Sequence, residues 1–170
     1  MIQLENIILV QGKIHFDPQD ITNKHLNQAS WKRMALVLLD AGDICDYYAW
    51  FLYRRYHIKL NKPLRGPHIS FINDSERDLG EYGLSQWDIV KNKYDNTSIE
   101  IKLNVDPRAN GEHWWLNVPN EYRTELHNIR TELGLGRPYF GCHMSLGYVH
   151  PLYLEHSTYI LRLLEQGLIE

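Results

Sequence analysis

Cysteine is scarce in this chain: its 170 residues include only Cys45 and Cys142, with no Cys-x-x-Cys spacing. A disulfide framework and a zinc ribbon are therefore not suggested, and two free thiols in a reducing compartment are expected. Long apolar runs are also missing, and Met1-Ile2-Gln3-Leu4-Glu5-Asn6 carries neither a basic leader nor a small-residue cleavage site. The expectation is a soluble, unexported, cytoplasmic protein with no membrane partner. Nor is there an excess of positive charge. Eighteen Lys and Arg against 21 Asp and Glu give a formal charge of -3 and a pI near 6.3. That lacks the basic stripe of a protein that tracks long nucleic acid, yet suits a small anion held in one local pocket. Linkers, low-complexity tracts and short repeats are absent as well, so residues 1–170, with 44% hydrophobic content, are expected to form a single domain.

What is present is an alternation of short strands and helices. Lys13-Ile14-His15-Phe16-Asp17 reads as a strand closed by Asp17-Pro18, and Thr22 could cap a short polar helix leading to Ser30. Met34 to Leu39 is almost wholly apolar; its shortness and the Asp40-Ala41-Gly42 boundary favour a central strand over a buried helix. Asp43 looks like the N-cap of a helix through about His57, with Tyr47, Tyr48 and Trp50 packing it onto a sheet. Arg54, Arg55, His57 and Lys59 form its solvated basic end. Pro63 to Pro67 turns into a strand from His68 to Asn73, with Ile69 and Phe71 facing the core and His68, Ser70 and Ile72 facing away. From Asp74 to Asn96 the local signal is weak, helix or loop. Thr97 to Val105 alternates clearly, and Pro107 to Gly111 then turns into Glu112 to Val118, which predicts a hairpin. A helix from Asn120 to about Leu133 ends at Gly134 to Gly136. A strand begins at His143, and a last helix runs from about Leu154 to Gln166.

Within this frame one tripeptide occurs twice. His68-Ile69-Ser70 and His143-Met144-Ser145 each lie in a short apolar run just after a glycine, 75 residues apart from 68 to 143. Residues two apart on a strand point the same way, so each tripeptide sets an imidazole and a hydroxyl on one face. Two such pairs across a groove supply a base, an acid and two hydrogen-bonding hydroxyls. Each half of the chain offers a strand, a helix and a His-x-Ser strand, which predicts an α+β fold of two pseudo-symmetric lobes. Each lobe is an antiparallel sheet with helices on its outer face, and the two enclose a central concave cleft. A single His-x-Ser among nine histidines is unremarkable; the matched pair carries the signal.

The two motifs resemble those of the 2H phosphoesterase superfamily. More of the chain, roughly residues 13 to 150, is similar to phage anti-CBASS nucleases. The likeness runs through Tyr48-Ala49-Trp50-Phe51, Ile58-Lys59-Leu60, Pro63 and Gly66-Pro67-His68-Ile69-Ser70. It continues in Trp114-Trp115-Leu116-Asn117-Val118, Arg130-Thr131-Glu132-Leu133-Gly134-Leu135 and Gly141-Cys142-His143-Met144-Ser145. The resemblance implies a bilobal fold and degradation of cyclic di- and trinucleotide immune messengers, in a host cytoplasm if the protein is phage-encoded. The chain departs from that pattern in Arg65 where an aromatic often stands, in Pro67 before the histidine, and in serine at both motifs; these bear on nucleotide preference.

The resemblance implies catalysis by His68, Ser70, His143 and Ser145 without a metal or other cofactor. With an ordinary histidine pKa near ~6.5, one imidazole can act as base and the other as acid. Which is which is left open. The serines would hold non-bridging phosphate oxygens. For substrate binding, Trp115 could stack on a base or be an ordinary sheet aromatic, with Trp114 in the core. Arg65 and Arg137 lie in the loops before the two motifs, and Lys13 with His15 could border the cleft or be a solvated strand face. Two alternatives stay open. One is a 2H enzyme acting on RNA 2′,3′-cyclic phosphate ends or 2′,5′-linked oligonucleotides, and the other a sponge that binds a cyclic nucleotide without cutting it. A metal hydrolase ranks below these, because His-x-Ser supplies no clustered ligands.

Overall fold

The computed structural model describes residues 6–18, 33–74, 76–138 and 141–169. The helix expected from Thr22 to Ser30 lies outside the described residues. Eight strands form two antiparallel sheets. The first has the order β4-β2-β1-β5, from β1 (Ile7–Phe16), β2 (Arg33–Leu39), β4 (His68–Asp74) and β5 (Ser98–Asn104). The second has the order β3-β8-β7-β6, from β3 (Leu60–Asn61), β6 (Arg108–Ala109), β7 (His113–Asn117) and β8 (His143–Val149). The four helices of the described residues are α1 (Gly42–Tyr56), α2 (Glu76–Tyr94), α3 (Thr124–Glu132) and α4 (Leu154–Glu165).

Alternation accounts for the strands. In β5, Ile99, Ile101 and Leu103 are buried between more exposed neighbours, and in β7 Trp114 and Leu116 are buried between His113, Trp115 and Asn117. The apolar faces of both sheets and the inward residues of the helices join in one core, which includes Ile14, Val37, Ile69, Phe71, Leu52, Trp87, Leu103, Trp114, Ile129 and Met144. Strand β2, with neighbours on both sides, contributes Ala35 and Val37 at full burial. The side chains left outside this core define the opposite, open faces of the sheets, and those faces carry His68 and His143.

Several sequence expectations are corrected. The predicted hairpin between residues 97–105 and 112–118 does not form: β5 is the edge partner of β1, whereas β7 lies in the other sheet between β6 and β8. Pro107 has no N–H to continue a ladder, and the chain leaves the first sheet there. Pairing resumes at Arg108 and Ala109, opposite Trp115 and Trp114. The two sheets are also not the sequential halves of the chain: strand β3, from the first half, joins the second sheet, and β5, which follows α2, joins the first. Helix α1 begins at Gly42 with Ala41 as N-cap, so Asp43 sits inside the first turn, where its carboxylate accepts the Ile44 N–H at 2.9 Å. On that helix only Tyr48 of the expected packing aromatics is buried, its hydroxyl donating to the Val105 carbonyl; Tyr47 and Trp50 are exposed.

The stretch with no clear local signal contains the longest helix, α2, whose chain is non-helical at Gly80. Its Trp87 packs edge-on against Phe16 at 5.2 Å and donates its indole N–H to Asp17 at 2.9 Å, tying the helix to the end of β1.

Candidate active site

The two His-x-Ser strands are built alike. In β4 the Nδ1 of His68 is 2.9 Å from the carbonyl oxygen of Gly66; in β8 the Nδ1 of His143 is 2.8 Å from that of Gly141. A carbonyl can only accept, so in both rings Nδ1 carries the hydrogen. Nε2 is then the nitrogen whose lone pair can take a proton, or which donates once the ring is protonated. The shared motif is thus Gly-x-His-x-Ser, with the glycine holding the ring through its backbone.

The likeness continues past the serines. Opposite β4, Leu36 pairs with Ser70 and Ala35 with Ile72, which leaves Phe71 as an extra residue. Opposite β8, Trp115 pairs with Ser145 and Trp114 with Gly147, which leaves Leu146 as the extra one. Each strand therefore carries a bulge at the residue after its serine. The bulge turns Ile72 into the core, contrary to the simple alternation that placed it with His68 and Ser70. In β8 it turns Tyr148 onto the face of His143 and Ser145 and puts Val149 inside. Gly147 makes this possible: its φ is +155°, and a Cβ there would lie 2.5 Å from the Asn61 carbonyl of β3.

Arginines near the two ends of α3 brace both strands. Arg130, 5% exposed, donates to the Phe71 carbonyl at 2.7 Å, the Asp74 carboxylate at 2.9 Å and the Gly136 carbonyl at 2.6 Å. A buried guanidinium is tolerable only when paired in this way. It satisfies the carbonyl of the bulged residue next to Ser70. Arg123 donates to the Val118 carbonyl at 2.6 Å, and its guanidinium lies against Gly141.

The open faces of the two sheets meet in adjoining cavities. One, of about 560 Å³, has Arg65 and His68 on the first-sheet side and Glu112, His113, Ser145 and Tyr148 on the other. The second, of about 510 Å³, is lined by Asn110, His113, Trp115, Asn117, His143 and Ser145. Ser145 and His113 belong to both, so a continuous groove runs from His68 past Ser145 to His143. Trp115 lies on the groove face as expected, its ring centroid 5.8 Å from that of His143 and its indole N–H donating to Asn117 at 3.0 Å. Trp114 is buried, as expected.

The other sequence candidates are more scattered. Ser70 is exposed on β4 beside His68 and lines neither cavity of the groove. Lys13 shares the open face of the first sheet, since it pairs with Leu38 and Leu38 pairs with His68. Two strand spacings put it roughly 10 Å from β4, and with His15 and Asp40 it lines a separate cavity of about 440 Å³. Arg137 lines none of these cavities; its charge falls on His127, whose pKa is lowered first by burial and then by Arg137, Arg123 and Arg130. Sequence reading gave no role to His113 or Tyr148. The glycine inside the second motif strand was the available signal for the bulge that exposes Tyr148.

Both cysteines are buried free thiols with raised pKa values. Burial is the main cause in each, and Cys45 is pushed from an ordinary 9.0 to about 11. Among the described residues no three His, Cys, Asp or Glu side chains converge as metal ligands. Compared with protein-family models, with curated proteins and with solved structures, the chain matches none.

Proposed function

We propose that this protein is a metal-independent phosphodiesterase that cleaves 3′,5′ bonds of cyclic di- or trinucleotide immune signals and thereby evades CBASS-type antiviral defence. The observation that carries the reading is the matched pair of imidazoles, each held through Nδ1 by a glycine carbonyl and each lining one arm of the same groove. Holding Nδ1 fixes the ring and reserves Nε2 for proton transfer, which is the preparation that general acid–base catalysis requires. The resemblance of the two motifs to 2H phosphoesterases supports the same chemistry, and the longer likeness of residues 13 to 150 to phage anti-CBASS nucleases supports the substrate class.

In this mechanism one imidazole takes the proton from a ribose 2′-hydroxyl. The freed oxygen bonds to the adjacent phosphorus, the bond from phosphorus to the 5′-oxygen breaks, and the second imidazolium gives its proton to that oxygen. The product end is a 2′,3′-cyclic phosphate, which water can open. Ser145, at the junction of the two arms, is the hydroxyl best situated for a non-bridging phosphate oxygen. Ser70 would reach the phosphate only by turning in from the rim. Trp115 would offer a stacking surface beside His143.

The test is incubation of the purified protein with 3′,3′-cyclic GMP-AMP and a panel of cyclic di- and trinucleotides in EDTA, with products identified by mass. Linear products with terminal phosphates are expected. Persistence of every cyclic compound rejects the reading. If the protein instead cuts only 2′,5′-linked oligonucleotides or opens RNA 2′,3′-cyclic phosphate ends, the chemistry stands and the substrate assignment falls. Recovery of intact cyclic nucleotide at stoichiometric yield after heat release identifies a sponge.

A further inference from the structure

We propose that the arm of the groove lined by Arg65, His113 and Tyr148 is a second anion subsite, which holds the phosphate of a cyclic oligonucleotide that is not being cut. The inference rests on the phosphodiesterase reading and adds where the rest of the substrate lies. A phosphate attacked between the two catalytic imidazoles has to sit near Ser145, where the cavities join. Every cyclic oligonucleotide carries at least one further phosphodiester, and that group must enter one arm or the other.

The two arms differ in chemistry. The His143 arm offers an indole and the amides Asn110 and Asn117, groups suited to a base or sugar. The His68 arm offers an imidazole and a phenol, both hydrogen-bond donors suited to phosphate oxygens, and is bordered by Arg65, whose guanidinium is turned onto Met34. His113 and Tyr148 are a cross-strand pair, and the bulge at Leu146 is what brings Tyr148 to this face.

The state of Arg65 points to an anion independently. Its Nη1 donates at 2.9 Å to the thioether of Met34, a weak acceptor, while its Nε and Nη2 are buried with no hydrogen-bond partner among the described residues. A buried guanidinium with such poor partners is unfavourable. Turning off Met34 into the cavity would trade a soft sulfur contact for charged oxygens, so an anion there relieves the imbalance. Glu112 is the one carboxylate lining this cavity among the described residues, and it is exposed on the rim. Its charge opposes the anion, which makes it a control of opposite sign.

The test compares two ligands by calorimetry in EDTA: a bis-phosphorothioate analogue of 3′,3′-cyclic GMP-AMP, with two phosphate positions, and linear GpA, with one. Arg65→Gln should weaken the cyclic ligand at least tenfold more than the linear one. Arg65→Lys should recover part of that loss, His113→Asn should shift the ratio in the same direction by less, and Glu112→Gln should tighten the cyclic ligand. Thermal melts of each variant report whether the fold is kept. Equal losses for both ligands, or none, overturn the subsite. If wild type binds the analogue with this Arg65 dependence yet cuts no cyclic nucleotide, the phosphodiesterase reading fails and the anion site stands. If wild type cuts and Arg65→Gln leaves the ratio unchanged, the subsite falls and the enzyme remains. If neither ligand binds, the subsite falls, and turnover of the unmodified cyclic compounds decides the enzyme.

Discussion

The strand of His68 and the strand of His143 repeat one another residue by residue: a partly exposed histidine, a buried residue, the serine, two buried residues and then an exposed one. Each has the same ring-to-glycine bond and the same bulge position. Their surroundings do not repeat. Opposite His68 and Ser70 stand Leu38 and Leu36; opposite His143 and Ser145 stand Asn117 and Trp115. Strand β4 is an edge, whereas β8 is paired on both sides. The duplicated part is a backbone device that asks little of side chains beyond the histidine and serine. Cross-strand neighbours are then free to differ, one sheet setting leucines opposite its motif, Leu36 fully buried, and the other setting polar and aromatic groups.

The sharpest way to break this comparison is to remove each imidazole in turn. If the two rings are equivalent partners in proton transfer, His68→Ala and His143→Ala should each lower kcat for a cyclic dinucleotide by about 10²–10⁴-fold, with the melting temperature nearly unchanged. Turnover near wild type in either variant would show that only one strand's device is used.

The residues across from the serines should separate stability from binding. Leu36 is fully buried, and truncation of such a leucine costs about 2–5 kcal/mol, so Leu36→Ala should show a large drop in denaturation midpoint. Trp115→Ala should leave the midpoint close to wild type and weaken nucleotide binding by ~1–3 kcal/mol. The reverse pattern would exchange the roles assigned to these two residues.

The glycines that anchor the rings should differ more modestly. Gly66 has φ +72° and open space around an added Cβ, so Gly66→Ala should destabilise through backbone strain alone, by about 1–2 kcal/mol. Gly141 has no such φ, and its added Cβ would meet only the end of the Arg123 side chain at 3.0 Å. Chemical denaturation of the two variants should therefore show the larger loss for Gly66→Ala, and equal losses would mean that the anchors are strained alike.

The smallest expected effect concerns the two thiols, Cys45 behind β8 and Cys142 at its start. Cys45 Sγ lies 3.9 Å from the Ser145 carbonyl. Its pKa rises from 9.0 unfolded to about 11 folded, so the folded state holds a proton that the unfolded chain releases in that window. Stability is therefore fully present below pH 9 and declines as pH climbs toward 11. Cys142 shifts in the same direction. A thiol reagent at pH 8 should leave both untouched in the native protein and label both in denaturant; fast native labelling would place a thiol at the surface.

Much of this architecture was legible in the sequence because its signals are local. The apolar run of β2, the alternation in β5 and β7 and the helical stretches of α1, α3 and α4 all report which side of an element is buried. Helix α2 was not legible, since its polar run is interrupted by Gly80 and Gly83, and its place is fixed by Trp87 and Asp17, 70 residues apart. Of the candidate site, His68, His143, Ser145, Trp115 and Arg65 line one groove. Lys13 and Arg137 do not: Lys13 has the right face but sits two strands from β4, and a place in a loop does not say where the Arg137 side chain will point.

By itself the sequence determined that two short apolar strands would each present a histidine and a serine on one face after a glycine, since period-two geometry and the glycine's backbone are properties of a few adjacent residues. Tertiary structure alone decided which sheet each strand joins, where the bulges fall, and hence that Tyr148 enters the groove while Ile72 leaves it. Except between β6 and β7, strand pairing is made between residues far apart in the chain, and a one-residue slip in register reverses every side chain beyond it. No window of sequence contains both partners of such a choice.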